Sequence, residues 1–199
     1  MRQNYNTTVD GERVKLVPYR PEHVDVYHRW MADPWLQQAT ASEPLSLEEE
    51  RRMQESWAED PKKCTFILLD KTRGGAMAGD VNLFWNDEDP SCAEIEVMVA
   101  EEGSRRRGLA CEALQLFMAY ATRVLGVQRF VAKIGEDNVA SIALFIKLGF
   151  SQNGRSPIFK EVHMELAIAG SVEAQMKEVG QRLVLGTYEG GPQEHELTS

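Results

Sequence analysis

Hydrophobic and polar positions change period several times along the chain, and each change marks an element. Residues 13–19, RVKLVPY, alternate between Gly11 and Pro21, which predicts a strand. Over 22–31 the apolar positions Val24, Tyr27, Trp30 and Met31 recur at helical spacing, opened by Pro21 and ended near Asp33-Pro34. Ser46 and Glu49 form a capping-box pattern ahead of a helix reaching about residue 59. The run 63–70, KCTFILLD, is apolar enough for an internal strand. Segments 77–85 and 92–100 read as a hairpin around an acidic turn, NDEDPS, whose Asp87-Glu88-Asp89 tip suits solvent.

The longest helix is expected over 109–125, with Ala110, Ala113, Leu114, Phe117, Ala121 and Val124 on its apolar stripe and Gly126 as its stop. A strand follows at 127–134, then a helix at 138–148 stopped by Gly149. Two final strands are expected over 150–168, turning at Asn153-Gly154. No internal repeat is present. The order is that of an α+β (mixed α/β) domain, residues 1–168, whose sheet carries helices. From Ala169 the chain becomes a polar tail, residues 169–199, expected to hold one short helix near 172–185 and to end in disorder.

Composition narrows the function. The 199 residues are 43% hydrophobic and 27% charged, enough for one core without metal or disulfide staples. Lys and Arg number 22 against 31 Asp and Glu, a net charge of −9, which disfavours nucleic acid and anionic membranes as partners. Polyamines, lysine-rich peptides and free amino termini suit it better. Cys64, Cys92 and Cys111 are odd in number and lie in apolar stretches, so buried free thiols in a reducing compartment are expected. The first 15 residues lack a secretory apolar region, and no run approaches the roughly 18 apolar residues of a membrane span. A cytoplasmic location is expected, with the nucleus accessible to a chain of this size.

The chemistry concentrates in residues 93–111, AEIEVMVAEEGSRRRGLAC. A strand ends, a short loop follows, and a long helix starts behind Arg105, Arg106 and Arg107. Helix-start amides, a glycine and guanidiniums together make an anion cradle suited to pyrophosphate. The same arginines equally suit a solvated turn. Gly103 and Gly108 have Walker spacing, but Leu109-Ala110 stands where Lys-Ser/Thr belongs, and no G-x-G-x-x-G occurs.

Along the preceding strand Ile95, Val97 and Val99 share one face, while Glu94, Glu96 and Met98 share the other. Folding the hairpin sets Glu96 near Asn82 and Met98 near Asp80, a cluster of polar groups. A surface strand with solvated acids is the plain alternative. The four histidines, His23, His28, His163 and His195, have no ligand spacing with a cysteine, so no metal is expected. No G-x-S-x-G elbow occurs. Trp30, Trp35 and Trp57 are expected in the core.

Arg105-x-x-Gly108-x-Ala110 resembles the R/Q-x-x-G-x-G/A signature of the GCN5-related N-acetyltransferases. Asn138-x-x-Ser141-Ile142, followed by Phe145-x-Lys147-Leu148-Gly149-Phe150, resembles the second acetyl-CoA motif of that family. The likeness spans about 13–168, and RVKLVPYRPEHVDVYHRWMADP resembles the branch containing ribosomal-protein N-terminal acetyltransferases. The resemblance implies a mixed, mostly antiparallel twisted sheet flanked by helices, acetyl-CoA as co-substrate, and direct acetyl transfer to a protein or peptide amine. It implies Glu96, with Glu94 second, as general base. Main-chain groups at Val97, Met98 and Val99 would polarise the thioester carbonyl, and those of Arg105, Arg106, Arg107, Gly108, Leu109 and Ala110 would hold the pyrophosphate. Asn138 and Ser141 suit pantetheine contact and helix capping equally.

Phe145 stands where many relatives carry a proton-donating tyrosine. Tyr120, His163 and Tyr188 are the substitutes to examine, each with an ordinary structural alternative. An amine with a pKa of about 8 to 10 must lose a proton before it attacks, which is the reason a carboxylate is needed. The branch's microtubule-associated members imply tubulin or microtubules as a partner. They also leave open an interaction protein with weak or no catalysis, and polyamine acetylation is a third reading.

Overall fold

The computed structural model describes residues 1–85 and 89–190. Asp87 and Glu88 of the expected hairpin tip, His195 and the end of the tail lie outside the described residues. Nine strands form one sheet: β1 (Thr7–Asp10), β2 (Val14–Pro18), β3 (Lys63–Asp70), β4 (Ala76–Trp85), β5 (Cys92–Val99), β6 (Arg129–Gly135), β7 (Ser151–Ser156), β8 (Glu161–Ala167) and β9 (Val184–Thr187). Their order is β7-β8-β6-β5-β4-β3-β2-β1-β9. Every pairing is antiparallel except β5 with β6.

Helices cover both faces. On one side lie α1 (Val24–Met31), α2 (Pro34–Ala39) and α3 (Leu47–Glu59), packed on Val17, Ile67 and Met98. On the other lie α4 (Leu109–Tyr120), α5 (Val139–Lys147) and α6 (Gly170–Arg182), packed on Leu16, Phe66, Val81, Ile95 and Phe130. This division follows from the period-two alternation of β3 to β5, which sends successive apolar side chains to opposite layers. Among the described residues no helix is long and apolar enough to cross a membrane.

The capping box forms: Ser46 Oγ accepts from Glu49 N while Ser46 N donates to Glu49 Oε2 at 2.8 Å. Other expectations need correction. Asp33-Pro34, read as a stop, starts α2. Asp33 Oδ1 accepts from Trp35 N at 2.8 Å and Pro34 takes the first helical position, where its missing N–H costs nothing. Trp35 is consequently 57% exposed rather than in the core.

The helix expected to reach Leu125 changes to a π-helical stretch at Ala121–Leu125 before Gly126. That widening shifts the helical phase and leaves Val124 48% exposed. The last hairpin does not turn at Asn153-Gly154. Gly154 sits at an irregularity inside β7, Asn153 Nδ2 donates to Glu165 Oε2 at 2.9 Å, and the chain reverses at 157–160. The segment after Ala169 folds onto the domain through residue 187. Met176 and Leu183 enter the core, and β9 joins the sheet edge beside β1.

Candidate active site

β5 divides the sheet into two halves. It keeps β4 along one edge from Ala93 to Val99, but its parallel pairing with β6 covers only Cys92, Ala93 and Glu94, opposite Arg129, Phe130 and Val131. Beyond that point β6 continues beside β8 as far as Gly135, whereas β5 leads toward α4. The β5 edge over residues 95–99 therefore has no strand partner, and such an edge offers donors and acceptors to a ligand. Val97, Met98 and Val99 lie on it.

The loop from β5 to α4 is held from below. Ser104, buried, donates its hydroxyl to Asp70 Oδ2 at 2.7 Å. Arg105 caps the end of β5, its Nε donating to Val99 O at 2.8 Å and its Nη2 to Ala100 O at 2.7 Å. The Trp35 ring lies 4.6 Å from that guanidinium, and Trp30 Nε1 donates to Glu101 Oε1 at 2.8 Å, so α1 and α2 are tied to this loop. Of the three arginines expected to flank an anion, Arg105 is thus engaged inside the protein while Arg106 and Arg107 are exposed.

Arg106 and Gly108 have φ of 58° and 81°, in the left-handed region, and the curled chain starts α4 with no side-chain cap. The first amides of such a helix have no intrahelical partner, and the helix dipole favours an anion there. Arg13 Nη1 donates to Arg107 O at 3.3 Å, which adds a guanidinium that the sequence pattern did not single out. Leu109 is buried and anchors the helix, with Ala110 half-buried behind it.

On the opposite face of β5 the expected register holds, with Glu96 opposite Asn82 and Met98 opposite Asp80. Thr65 of β3 adjoins Asn82 on its other side. These groups form a chain of hydrogen bonds: Thr65 Oγ1 donates to Asn82 Oδ1 at 2.6 Å, Asn82 Nδ2 to Asp80 Oδ2 at 2.6 Å, and Tyr27 OH to the same oxygen at 3.4 Å. Asp80 Oδ1 is buried without a hydrogen-bond partner among the described residues. Gly79 makes this closeness possible, since a Cβ there would lie 1.9 Å from the Met98 carbonyl oxygen.

Lys63 starts β3 one row away, buried, with Nζ 3.5 Å from the ring centres of both Trp57 and Phe84. Glu94 is paired with Lys133, Nζ to Oε2 at 2.7 Å. Glu96 is exposed on β5, with the crowding of neighbouring groups removing part of its hydration. Desolvation, reinforced by Glu94 and Asp80 and opposed by Lys63 and Lys133, raises its pKa to about 7. Asp80 is raised to about 6 by burial, against its hydrogen bonds and Lys63. Burial lowers Lys63 to about 8, against the pull of Glu96 and Asp80.

Lys63, Thr65, Tyr27 and Gly79 were missed in the sequence. Alternation in β3 and β4 could have found the first two, because Lys63 and Thr65 share the face of Asp80, Asn82 and Glu96. Asn138 caps α5, its Oδ1 accepting from Ser141 N at 3.1 Å. Phe145 is 3% exposed and packs edge-on against Phe150 with ring centres 4.9 Å apart, inside the core. Tyr120 lies in the α4 layer against Phe66, on the far face from Glu96. Tyr188 OH donates to Glu22 Oε1 at 2.9 Å and lies 3.1 Å from His23 Nε2, near the β1 edge. His163 sits on β8 opposite Lys133.

The GNAT acetyltransferase domain matches residues 13–151. The chain is 44% identical to the human protein named alpha/beta-tubulin-N-acetyltransferase 9, over 98% of this chain and 99% of that one. It is 49% identical to an N-acetyltransferase 9-like protein of Nematostella vectensis, over 83% of this chain and 88% of the other. The fold matches the spermidine N-acetyltransferase of Vibrio cholerae, solved with CoA and spermine, at a TM-score of 0.70 and 15% identity, covering 79% of this chain and 96% of that one. The parted strands, the uncapped helix start and these likenesses agree, and the chain belongs to the GNAT acetyltransferase family and is an N-acetyltransferase.

Proposed function

We propose that this N-acetyltransferase takes its acetyl group from acetyl-CoA and gives it to the amine of a protein. The residues present fit the donor. Main-chain groups of Arg105–Ala110 at the start of α4, with Arg106, Arg107 and Arg13 around them, would hold the pyrophosphate. The free edge of β5 at Val97, Met98 and Val99 would receive the pantetheine arm and orient the thioester, with Asn138 and Ser141 at its other wall. Bound acetyl-CoA supplies an acyl carbon on a good leaving group.

Glu96 carries the reading. A solvent-accessible carboxylate on the strand that parts from its neighbour, with a pKa of about 7, is matched to an α-amine of about 8. It takes the proton as nitrogen attacks the carbonyl carbon, and its contact with solvent lets that proton leave. Glu94, held by Lys133, is the second carboxylate and shapes the field. Phe145 has no proton to give, so the thiolate departs unassisted by that position. A thiol pKa near 8.5 makes this tolerable at neutral pH.

The similarity to a tubulin N-acetyltransferase supports a protein amine, with tubulin as the first candidate, and a cytoplasmic site of action. The carboxyls of Glu94, Glu96 and Asp80 on one sheet face favour a cationic acceptor. The test is acetyl transfer to peptides with varied N-termini, with spermidine as a further acceptor. Glu96→Gln should lower kcat by roughly 10²- to 10⁴-fold and leave acetyl-CoA affinity within about twofold. Equal losses in both would remove its role as base. Binding of acetyl-CoA without transfer to any acceptor would favour the non-catalytic interaction protein.

A further inference from the structure

Three charges from three adjacent strands converge on the face that carries Glu96. Asp80 stands diagonal to Glu96 across the β4–β5 ladder, and diagonal neighbours lie roughly 7–8 Å apart. Its position is over-determined: Asn82 is locked by Thr65 on one side and donates to Asp80 on the other, while Tyr27 closes from α1. Yet Asp80 Oδ1 is buried with no hydrogen-bond partner among the described residues. A hydrogen-bonded carboxyl 1% exposed, with one oxygen left bare, is an expensive feature that packing alone does not require.

Lys63 is held as firmly from the other direction. The Trp57 and Phe84 ring centres each lie 3.5 Å from its ammonium, and among the described residues it forms no salt bridge that would neutralise either carboxylate. A cation fixed by aromatic faces acts through its field.

We propose that Asp80 and Lys63 are opposed positioning residues that set when the Glu96 carboxylate can take a proton from the acceptor amine. The inference rests on Glu96 as the base. An anionic Asp80 makes Glu96 hold a proton more tightly and Lys63 makes it hold one less tightly. Desolvation and Glu94 lift the base furthest from an ordinary carboxylate value, and Asp80 and Lys63 then adjust it in opposite directions. The other groups facing this set are Glu94 on β5, Lys133 on β6, Tyr27 on α1, Tyr19 after β2, Glu50 on α3, and, beside Lys63, Asp60 and the Met1 amino group.

The experiment titrates the Glu96 side-chain carboxyl by 13C NMR in the full chain, its signal identified by its loss in Glu96→Gln, alongside the pH dependence of kcat with one fixed peptide. Asp80→Asn should move the Glu96 midpoint and the acid limb of kcat down by on the order of one pH unit. Lys63→Met should move both up by a similar amount, and Lys63→Arg should restore them. Thr65→Val breaks the hold on Asn82 without changing charge, so it should lower the melting temperature and leave the midpoint in place. Two unmoved midpoints, or two midpoints moved in the same direction, would overturn the inference. If Glu96→Gln retains wild-type turnover, the base assignment itself falls. If turnover is lost in Glu96→Gln while the midpoints stay fixed, only the tuning by Asp80 and Lys63 falls. The NMR arm gives its answer even when the peptide is a poor acceptor.

Discussion

Gly108 separates conformation from recognition at the start of α4. Its φ of 81° is left-handed, and a Cβ there would come 3.2 Å from Arg13 Nη1. Alanine at this site pays the strain of a left-handed backbone, about 1–2 kcal/mol, and adds only a methyl group. Glutamate adds a carboxylate where the helix dipole and the guanidiniums favour an anion, so it competes with the ligand from within. Gly108→Ala should lower stability by that modest amount and weaken acetyl-CoA less than tenfold. Gly108→Glu should be similarly folded and show no heat with millimolar acetyl-CoA by isothermal titration. Equal binding by the two variants would place the pyrophosphate elsewhere.

Among the elements, α6 and β9 show how a weak sequence signal becomes a strong structural commitment. α6 packs against α4 through Met176, 4% exposed, and Arg123 Nη1 donates to Gly180 O at 2.6 Å. Met176→Ala should cost about 2–5 kcal/mol, the range for emptying such a site, readable in urea unfolding. A change under about 0.5 kcal/mol would mean that the helix is only loosely docked. Legibility followed the same division. β3, β5 and α3 were readable because an apolar run, an alternation and a capping box each point to one answer. β1 and β9 were not, since TTVD and VLGT are four-residue strands stabilised by each other and by β2, a contact between chain ends that no local pattern encodes. The Asn153-Gly154 signal misplaced the last turn because the β8 register overrode it. In the site, Glu96 and its Asn82 partner followed from alternation plus the hairpin fold. The engagement of Arg105 with Val99 and Ala100 did not, because whether an arginine faces a ligand or its own backbone depends on where the loop closes.

The whole molecule carries a net charge of −9, yet its response to pH is set by a few groups that the fold desolvates. Glu96 and Asp80 have folded pKa values of about 7 and 6, above their unfolded values, so the native state binds extra protons between about pH 4 and 7. Their contribution to stability is complete below the unfolded values and is lost as pH rises through 6 and 7. His23 acts in the opposite sense. Burial lowers it to about 4, its Nδ1 accepts from Arg20 N at 3.0 Å, and the unfolded chain binds a proton that the native state refuses between about pH 6.5 and 4. From pH 8 to 6.5 the two carboxyls add stability on acidification, while the Met1 amino group, lowered by burial, and the last of the Lys63 titration near 8 oppose them, so the melting temperature should rise relative to that of a chain lacking both carboxyls. Below pH 6.5 His23 subtracts and the rise should level off. Asp80→Asn combined with Glu96→Gln should flatten the first segment. His23→Asn, whose amide oxygen can replace Nδ1 as acceptor, should extend the rise toward pH 5. Scanning calorimetry at half-unit steps checks both, and a wild-type melting temperature that follows the double variant's in parallel from pH 8 to 6.5 would show that the two carboxyls titrate as they do in the unfolded chain.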